Sequence, residues 1–467
     1  MTLIQSISGI RGTIGGKPGE GLSPVDVVKF SGAYGMWLRN RFPDEQLRVV
    51  IGRDARISGP VINKIVTSTL QALGVDIIDG GVTTTPTVAM GVEFFKAQGG
   101  VIITASHNPK NWNALKLLNE YGEFMTANQG EEMQNYLNRE EFDFVPVEKF
   151  GSYTKEECMV EMHIEKILAL PLVDVEAISS ANFSVVVDGV NSAGGVAIPM
   201  LLEALGVKQV HEIYCEPNGL FPHNPEPLPE NLVELAAAVI KKDAHLGIAV
   251  DPDVDRLALI SEDGEMFGEE YTLVAVADYV LSHTPGNTVS NLSSSQALAE
   301  VTHAHGQHYF SSAVGEVNVV EVMKKCNAVI GGEGNGGVIY PALHYGRDAL
   351  VGVALFLSHL AKFGKSCTML KKKYPEYHIS KNKIELPDEI DLDVIFQKII
   401  AKYAKQTMDQ TDGVKIMFDK EWVHLRRSNT EPIIRIYSES DNLVKAEHLG
   451  KKMIMDISEM LKEKEED

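Results

Sequence analysis

Short apolar runs rich in β-branched residues alternate along most of the chain with segments of helical periodicity. Five of these runs end in glycine, aspartate or serine, and they lie at residues 47–56, 99–108, 183–195, 245–255 and 327–337. A strand that is apolar throughout has both faces buried, as in a parallel sheet covered by helices on both sides. The pattern predicts α/β sheets in which a helix follows each strand, with ligands bound beyond the carboxyl ends of the strands.

The pattern changes after about residue 370. A basic, polar segment is followed by a predicted helix at 392–405, by predicted strands near 414–418, 422–427 and 432–440, and by a last helix at about 444–463. This order predicts a smaller α+β domain at the end of the sequence.

Length and charge limit the classes of function. The sequence has 467 residues, which suggests three or four domains, and 44% of them are hydrophobic, which is typical of a globular protein. The formal net charge of −21 argues against nucleic acid as a partner, although a local basic pocket can still hold an anion.

Cysteine usage and hydropathy bear on the compartment. Four cysteines without CxxC spacing predict free, mostly buried thiols in a reducing environment. The first residues show no signal-peptide pattern, and the longest apolar stretch, 349–361, is too short and too polar to span a bilayer. We therefore expect a cytoplasmic protein that does not interact with membranes.

The segment DPDVDR places Asp251, Asp253 and Asp255 at alternating positions. Three carboxylates that converge repel one another unless a cation lies among them, and hard oxygen ligands suit Mg²⁺ or Ca²⁺. The alternatives are a solvated acidic turn and an EF-hand completed by Glu262. The EF-hand is disfavoured because Arg256 occupies the position that requires glycine.

The segment GEGNGG matches the glycine pattern of a dinucleotide-binding loop, but no helix is predicted directly after it. Glu333 and Asn335, set among glycines, could instead approach a polyol and bind its hydroxyls. A plain glycine-rich turn is the remaining alternative.

The segment RRSNTEPIIRIYSE combines guanidinium groups, hydroxyls and loop amides, which together suit a phosphate. The candidate phosphate-binding residues are Arg426, Ser428, Asn429, Thr430 and Arg435. The alternative is a surface turn before a strand.

The segment TASHNPK follows a predicted buried strand and places Ser106 beside His107. Neighbouring side chains of an extended segment point apart, and no G-x-S-x-G motif surrounds the serine, so a nucleophile–base pair is disfavoured. A structural turn is one alternative. The other is a serine that carries a phosphoryl group, which would need the DPDVDR loop and cations such as Arg11 and Lys116 near it.

Taken together, these segments resemble the α-D-phosphohexomutase family over nearly the whole chain and in the same order. The phosphoserine loop is matched by TASHNPKNWNALK, the metal loop by DPDVDR, the sugar loop by GGEGNGG and the phosphate loop by RRSNTEP. The segments SGIRG near the start and TTPTVAM at 84–90 are similar to further family motifs.

The resemblance implies three mixed α/β domains of similar layout and a C-terminal α+β domain, arranged around a central cleft. Their predicted bounds are 1–150 for the phosphoserine loop, 151–256 for the metal loop, 257–372 for the sugar loop and 373–467 for the phosphate loop. The implied activity is the interconversion of hexose 6-phosphate and hexose 1-phosphate through a phosphoserine and a hexose 1,6-bisphosphate. The resemblance leaves monomer and homodimer open.

The same resemblance implies roles for single residues. Ser106 would carry the phosphoryl group and, with the three aspartates, would hold Mg²⁺. Lys116 would act as general acid or base, Arg11 and Arg256 would stabilise charge, and His107 stays unassigned between a catalytic and a loop-shaping role. Glu333 and Asn335 would hold sugar hydroxyls, and the RRSNTEP residues with Arg435 would clamp the phosphate that does not react.

Three positions depart from the common family pattern. Pro252 and Ala114 each replace a glycine, and Gly337 stands where many members carry a histidine, so an acid–base role of that histidine cannot apply here. The sugar loop and HYGRDAL are closer to archaeal-type members, which favours glucosamine phosphate as substrate over mannose or glucose phosphate. A Mg²⁺-dependent phosphatase and a non-catalytic sugar-phosphate-binding module are the more distant alternatives.

Overall fold

A computed structural model describes residues 1–6, 9–385, 392–427 and 433–462. Within it the chain forms two compact units. The first contains Met1–His283 and Asn335–Lys371, and the second contains Thr284–Gly334 and Lys372–Asp467.

The first unit begins with a seven-stranded sheet in the order β1-β2-β6-β5-β3-β4-β7. Its strands are β1 (Leu3–Ser6), β2 (Gly9–Thr13), β3 (Arg48–Arg53), β4 (Asp76–Val82), β5 (Gly99–Ile103), β6 (Trp112–Leu118) and β7 (Tyr153–Lys155). The helices around it are α1 (Pro24–Arg41), α2 (Gly59–Ala72), α3 (Thr85–Phe94), α4 (Ala127–Arg139) and α5 (Met159–Leu168).

Successive residues of β3 face opposite sides of this sheet, as the period of a strand requires. Val49 and Ile51 belong to the core formed with α1, α2 and α4, whereas Val50 belongs to the core formed with α3 and Met159 of α5. The predicted burial of both strand faces is therefore confirmed, and the layers are helix, sheet, helix.

A second sheet of the first unit has the order β11-β10-β8-β9. Its strands are β8 (Ser184–Asp188), β9 (Gln209–Ile213), β10 (Leu246–Val250) and β11 (Leu257–Ser261). The helices of this region are α6 (Val175–Ser180), α7 (Gly194–Ala204), α8 (Val233–Lys241) and α9 (Tyr271–His283). Leu235 and Val239 of α8 pack against Val186 and Ala249 of the sheet.

The second unit contains three parallel strands in the order β13-β12-β14. Its elements are β12 (Asn287–Asn291), α10 (Ala297–Ala304), β13 (Tyr309–Ser312), α11 (Glu316–Cys326) and β14 (Ala328–Glu333). The first unit resumes with β15 (Gly337–Ile339), α12 (Ala349–Phe363) and α13 (Cys367–Lys371).

The rest of the second unit is an antiparallel sheet in the order β16-β20-β19-β18-β17 with helices on one face. Its elements are β16 (His378–Glu385), α14 (Leu392–Lys402), β17 (Thr407–Asp409), β18 (Val414–Met417), β19 (Trp422–Arg427), β20 (Ile433–Ser440) and α15 (Leu443–Lys462). Ile399 of α14 and Met453 of α15 pack on the sheet in one core. The predicted α+β organisation of this region is confirmed.

The expectation that a helix follows every strand is wrong as a general rule, although no helix was predicted directly after GEGNGG. β5, β10 and β14 are each followed along the chain by a strand, and the first two pair with that strand in antiparallel fashion. The loops with candidate chemistry thus connect strand to strand. A left-handed residue in two of them, Ser106 and Val254, turns the chain back before a helix can begin.

Burial in the structure bears on two expectations, one about the cysteines and one about the longest apolar stretch. All four cysteines are free, but only Cys367 is buried, so the prediction of mostly buried thiols is wrong. The apolar stretch 349–361 lies in α12, where Ala349–Leu360 are all buried. Among the helices that the structure describes, none is long and apolar enough to cross a membrane.

Candidate active site

Ser106 lies just beyond the carboxyl end of β5 and is only 8% exposed. Its φ of 49° is left-handed, and its amide donates to the hydroxyl of Thr104 at 2.9 Å. A left-handed conformation is costly for a residue with a Cβ and persists only where the surroundings hold it. Contacts around this loop must therefore stabilise the bend.

Arg56 supplies those contacts from beneath the loop, where its side chain has no exposed surface. Its guanidinium donates to the carbonyl oxygens of Ser106 at 2.5 Å, Asn108 at 2.6 Å, Pro109 at 2.6 Å and Trp112 at 3.1 Å. Nε donates to Asp54 at 2.9 Å, and Asp54 also accepts from the hydroxyl of Thr104 at 2.6 Å. The planar fork of an arginine can satisfy several carbonyls at once. The sequence analysis did not identify Arg56 as part of the site.

The DPDVDR segment connects β10 to β11, and the carboxylates of its three aspartates are fully buried. One oxygen of each lies within 4.8 Å of the others. Asp251 Oδ1 accepts from the amides of Asp255 at 3.1 Å and Arg256 at 3.2 Å, and Val254 has a φ of 64°. The loop therefore curls around Asp251, and the predicted convergence of the aspartates is confirmed. The EF-hand alternative is wrong because Glu262 instead accepts hydrogen bonds from the amide and hydroxyl of Thr368.

The Ser106 loop and the aspartate loop meet. The hydroxyl of Ser106 donates to Asp251 Oδ2 at 2.5 Å, across 145 residues of sequence. Ser192 links the aspartate loop to the loop after β3, since its hydroxyl accepts from the amide of Ala55 at 3.2 Å and donates to the carbonyl of Pro252 at 2.8 Å. The structure thus brings together two segments that the sequence presented separately.

Lys116 lies among the aspartates, with Nζ 2.6 Å from Asp253 Oδ2 and 3.2 Å from Asp255 Oδ2. Burial alone would lower the pKa of this amine, but the two carboxylates outweigh it and raise the pKa above the usual value. Burial would raise the pKa of Asp253, yet Lys116 and Thr85 hold that pKa well below its usual range. At Asp251, burial and the two acidic neighbours outweigh the charge of Arg256 and raise the pKa.

The donor set of the loop fits a hard divalent cation. Asp253 Oδ1 and Asp255 Oδ1 are buried and, among the residues that the structure describes, accept no hydrogen bond. A buried carboxylate oxygen without a partner is costly. Carboxylate oxygens converging at this spacing match the ligands that Mg²⁺ takes, with positions left for phosphate oxygens or water.

Two further cations, Arg11 and Arg256, lie near each other here, and strand pairing positions the first of them. In the antiparallel pair β2–β6, Gly9 lies opposite Lys116 and Arg11 opposite Ala114, so Arg11 and Lys116 project from the same face. Burial and the nearby charge of Arg256 lower the pKa of Arg11. Arg256 itself is anchored by Glu226 at 3.4 Å. The structure thus gathers predicted cations into one positive region.

His107 does not follow the expectation for an extended segment. Because Ser106 is left-handed, the two side chains do not point apart, and Ser106 Oγ lies 3.3 Å from His107 Nδ1. Burial and the charge of Arg256 lower the pKa of His107 well below its usual value, so the ring is neutral. The serine hydroxyl already donates to Asp251. His107 therefore contacts the serine without accepting its proton.

Two residues next to the aspartates were missed by the sequence analysis. Arg347 donates to Asp255 Oδ2 at 2.7 Å, and the hydroxyl of Thr85 donates to Asp253 Oδ2 at 2.5 Å. Gly337 explains why Arg347 fits, since a Cβ at that position would lie 2.4 Å from Arg347 Cδ. The sequence contained one signal near Arg347, because the next residue is Asp348 and aspartate is favoured just before a helix. Nothing local linked Arg347 to the aspartates of the DPDVDR segment.

In the sugar loop, Glu333 and Asn335 make separate local contacts. Within the second unit Glu333 ends β14 and is 5% exposed, and its Oε1 accepts from Asn291 Nδ2 at 2.8 Å and from the amide of Gly315 at 3.1 Å. In the first unit Asn335 Oδ1 accepts from the amide of Gly337 at 3.2 Å. Each side chain is therefore held by its own loop.

The predicted phosphate residues are described in part. Arg426 and Arg435 lie opposite each other in the β19–β20 pair, and Arg426 forms an ion pair with Asp412 at 2.9 Å. The amide of Val314 donates to Asp412 at 2.9 Å. Within the second unit, the amide of Val314 contacts Asp412 and the next amide, that of Gly315, contacts Glu333. These two neighbouring amides therefore link the Asp412–Arg426 ion pair to Glu333. Ser428, Asn429 and Thr430 lie outside the described residues.

Comparison with protein families covers almost the whole chain. The four domains of the phosphoglucomutase/phosphomannomutase family match in order. Alpha/beta/alpha domain I matches residues 3–144, domain II residues 161–264, domain III residues 268–377 and the C-terminal domain residues 383–455.

Curated relatives match at full length. A protein of Thermococcus kodakarensis named phosphoglucomutase/phosphomannomutase is 36% identical and covers 93% of this chain and 95% of its own length. A protein of Sulfurisphaera tokodaii named phosphoglucosamine/phosphogalactosamine mutase is 30% identical and covers 98% of both chains.

Solved structures share the fold. A phosphoglucomutase/phosphomannomutase family protein from Burkholderia thailandensis has a TM-score of 0.82 at 24% identity and covers 97% of this chain and 98% of its own. An N-acetylphosphoglucosamine mutase from Aspergillus fumigatus, solved with GlcNAc-6P and magnesium, has a TM-score of 0.57 at 12% identity and covers 93% of this chain and 97% of its own.

Proposed function

Because this chain belongs to the phosphoglucomutase/phosphomannomutase family and is thus a phosphohexomutase, we propose that it interconverts glucosamine 6-phosphate and glucosamine 1-phosphate through a phosphoserine at Ser106. The observation that carries this proposal is the contact of Ser106 Oγ with Asp251 at 2.5 Å, beside two further buried aspartates. A phosphoryl group on this serine would lie beside the cation that the aspartates are proposed to hold, which supports the assignment.

In the first half-reaction, the bond between phosphorus and Ser106 Oγ breaks and a bond to a hydroxyl oxygen of the hexose monophosphate forms. The proton of that hydroxyl is lost, and the serine oxygen regains one. The hexose 1,6-bisphosphate then presents its other phosphoryl group to Ser106, and the reverse steps restore the phosphoserine. Such transfers depend on positioning and on neutralising charge.

Asp251, Asp253 and Asp255 would hold Mg²⁺, and their unpartnered oxygens support this assignment. When bound, Mg²⁺ would neutralise negative charge on the transferring phosphoryl group. Lys116, Arg11 and Arg256 would stabilise the same charge. The raised pKa of Lys116 keeps its amine protonated, which supports a role as general acid.

Glu333 supports glucosamine as the sugar. Its carboxylate, held by Asn291 and Gly315, would attract the ammonium group at C2 more strongly than a neutral hydroxyl. Asn335 would bond ring hydroxyls, and Arg426, Arg435 and Ser428, Asn429 and Thr430 would clamp the phosphate that does not react. One observation favours mannose and glucose phosphates instead, namely the name of the 36% identical relative.

Two assays test the proposal. Ser106→Ala protein should show no interconversion, with or without added hexose 1,6-bisphosphate, and normal turnover by this variant would contradict the phosphoserine. Parallel assays with the 1-phosphates of glucosamine, mannose and glucose should favour glucosamine. Equal rates on all three would remove that assignment, and inorganic phosphate released as fast as substrate is consumed would indicate a phosphatase.

A further inference from the structure

A buried histidine joins two helix N-termini that contact the aspartate loop. His163, in α5, has no exposed surface and belongs to none of the sequence motifs. Its Nδ1 lies 3.0 Å from the hydroxyl of Thr87, and its Nε2 lies 3.0 Å from Asp348 Oδ2. The imidazole therefore bridges α3 and α12.

On one side of the bridge, α3 presents its first turn to Asp253. Thr84 caps this helix by accepting from the amide of Thr87 at 3.1 Å, and the two hydroxyls lie 2.7 Å apart. The next residue, Thr85, donates its amide to the carbonyl of Asp253 at 2.8 Å and its hydroxyl to Asp253 Oδ2. The position of this turn thus sets the position of Asp253.

On the other side, Asp348 caps α12 and fixes the residues around it. Its Oδ1 accepts from the amides of Leu350 at 2.8 Å and Val351 at 3.2 Å, while Oδ2 faces His163. The residues on either side of Asp348 reach the loop, since Arg347 donates to Asp255 and the amide of Ala349 donates to the carbonyl of Val254 at 3.2 Å.

We propose that His163 is a positioning residue, which sets the separation of Asp253 and Asp255 by tying the first turn of α3 to the first turn of α12. The two links made by His163 itself are hydrogen bonds between fully buried groups, so the distance between the two helix starts is held with little freedom. Groups that orient metal ligands from behind typically change metal affinity by about 10- to 100-fold when they are removed.

Asp348 gives electrostatic support to this arrangement. Burial would raise the pKa of this carboxyl, but His163 and His344 outweigh it and hold the pKa well below its usual range. Asp348 is therefore a carboxylate, which requires Nε2 of His163 to be the donor and turns Nδ1 toward Thr87.

The inference rests on the proposed Mg²⁺ site, and its test is Mg²⁺ affinity, measured by titration calorimetry on the full chain. His163→Gln can keep a donor for Asp348 but cannot also reach Thr87, and Thr87→Val breaks the same link from the other end. Both variants should bind Mg²⁺ about tenfold more weakly, with kcat lowered and the KM for sugar phosphate unchanged. Ile167→Ala, a fully buried change one turn along α5, is the matched control.

A merely structural role predicts another result. If His163 only fills space in the core, any variant that loses the same amount of thermal stability should weaken Mg²⁺ binding equally. Equal weakening by Ile167→Ala and His163→Gln at an equal loss of stability would therefore overturn the inference. Wild-type Mg²⁺ affinity in both His163→Gln and Thr87→Val would overturn it as well. The two proposals can also fail separately. If the wild-type chain binds Mg²⁺ and the variants bind it more weakly as expected, but the wild type does not interconvert hexose phosphates, the inference is supported and the proposed function is contradicted.

Discussion

The guanidinium of Arg56 donates to the carbonyl oxygen of Ser106 at 2.5 Å, from a position without solvent exposure. Three further carbonyls of the same loop accept from this side chain, so one arginine ties four backbone groups together. Ser106 is thus held through its backbone, which leaves its hydroxyl to face Asp251.

Arg56→Lys should lower kcat by about 10²-fold with little change in KM, because an ammonium cannot satisfy four carbonyls and the serine would lose its alignment. The buried carbonyl of Ser106 would lose its hydrogen bond, which costs about 1–3 kcal/mol, so the melting temperature should fall too. Steady-state kinetics with hexose 1-phosphate and thermal unfolding check both expectations. Arg53→Lys is the control, since Arg53 donates to one carbonyl, that of Asp54. Wild-type kcat in Arg56→Lys would show that the loop needs no such support.

Gly337→Ala should displace Arg347 from Asp255, because the added Cβ would lie 2.4 Å from Arg347 Cδ. Loss of one hydrogen bond to a charged group is worth about 1.5–3 kcal/mol, and we expect kcat to fall by roughly tenfold or more. A double-mutant cycle isolates the cause. In an Arg347→Ala background, Gly337→Ala should have no further effect on kcat, and an undiminished effect there would mean that the glycine acts through another contact.

Asp255→Asn should abolish the stabilisation that Mg²⁺ gives, because it removes a buried carboxylate and keeps the shape of the side chain. At a concentration about 100 times the Kd, a bound ligand stabilises the folded state by about 2.7 kcal/mol. Thermal unfolding with MgCl₂ or EDTA measures this difference. Glu262→Gln, at the last EF-hand position, should keep the full Mg²⁺ effect because Glu262 contacts Thr368 instead. If MgCl₂ stabilised the Asp255→Asn protein more than the Glu262→Gln protein, the assignment of Asp255 as a Mg²⁺ ligand would be contradicted.

Acid should destabilise the chain partly through His424. Burial lowers the pKa of this imidazole from 6.5 to about 4, and its ring nitrogens contact Ser293 and the carbonyl of Asp412. Between these pH values the unfolded chain binds a proton that the folded chain does not, so stability is present above pH 6.5 and is lost as the pH falls toward 4. The loss is of the order of 3 kcal/mol.

A comparison of His424→Gln with wild type checks the direction of this pH dependence of stability. The difference in melting temperature between the two proteins should shrink from pH 7 to pH 4.5, because the variant has no imidazole to protonate. His303→Gln, at an exposed histidine of α10, should follow the wild-type pH dependence. A constant difference across the range would mean that His424 does not titrate on unfolding.

Local sequence determined the strands, the loops at their ends and the residue types in those loops. Apolar runs predicted β3, β5, β8, β10 and β14 within a few residues, because burial of both strand faces leaves a continuous apolar signature. The spacing of Asp251, Asp253 and Asp255 indicated a cation site, since carboxylates that converge need a counter-charge. The predicted domain bounds stay predictions.

Tertiary structure alone decided what surrounds these loops. The left-handed turn at Ser106 placed His107 beside it, against the rule for extended chains, and only long-range pairing brought Asp251 to the serine. Nothing in the local sequence linked Arg56, Arg347 and His163 to the site, because the contacts that place them there span 50 or more residues of sequence. A side chain that acts by satisfying distant backbone or carboxylate groups becomes recognisable only when the fold has supplied those groups.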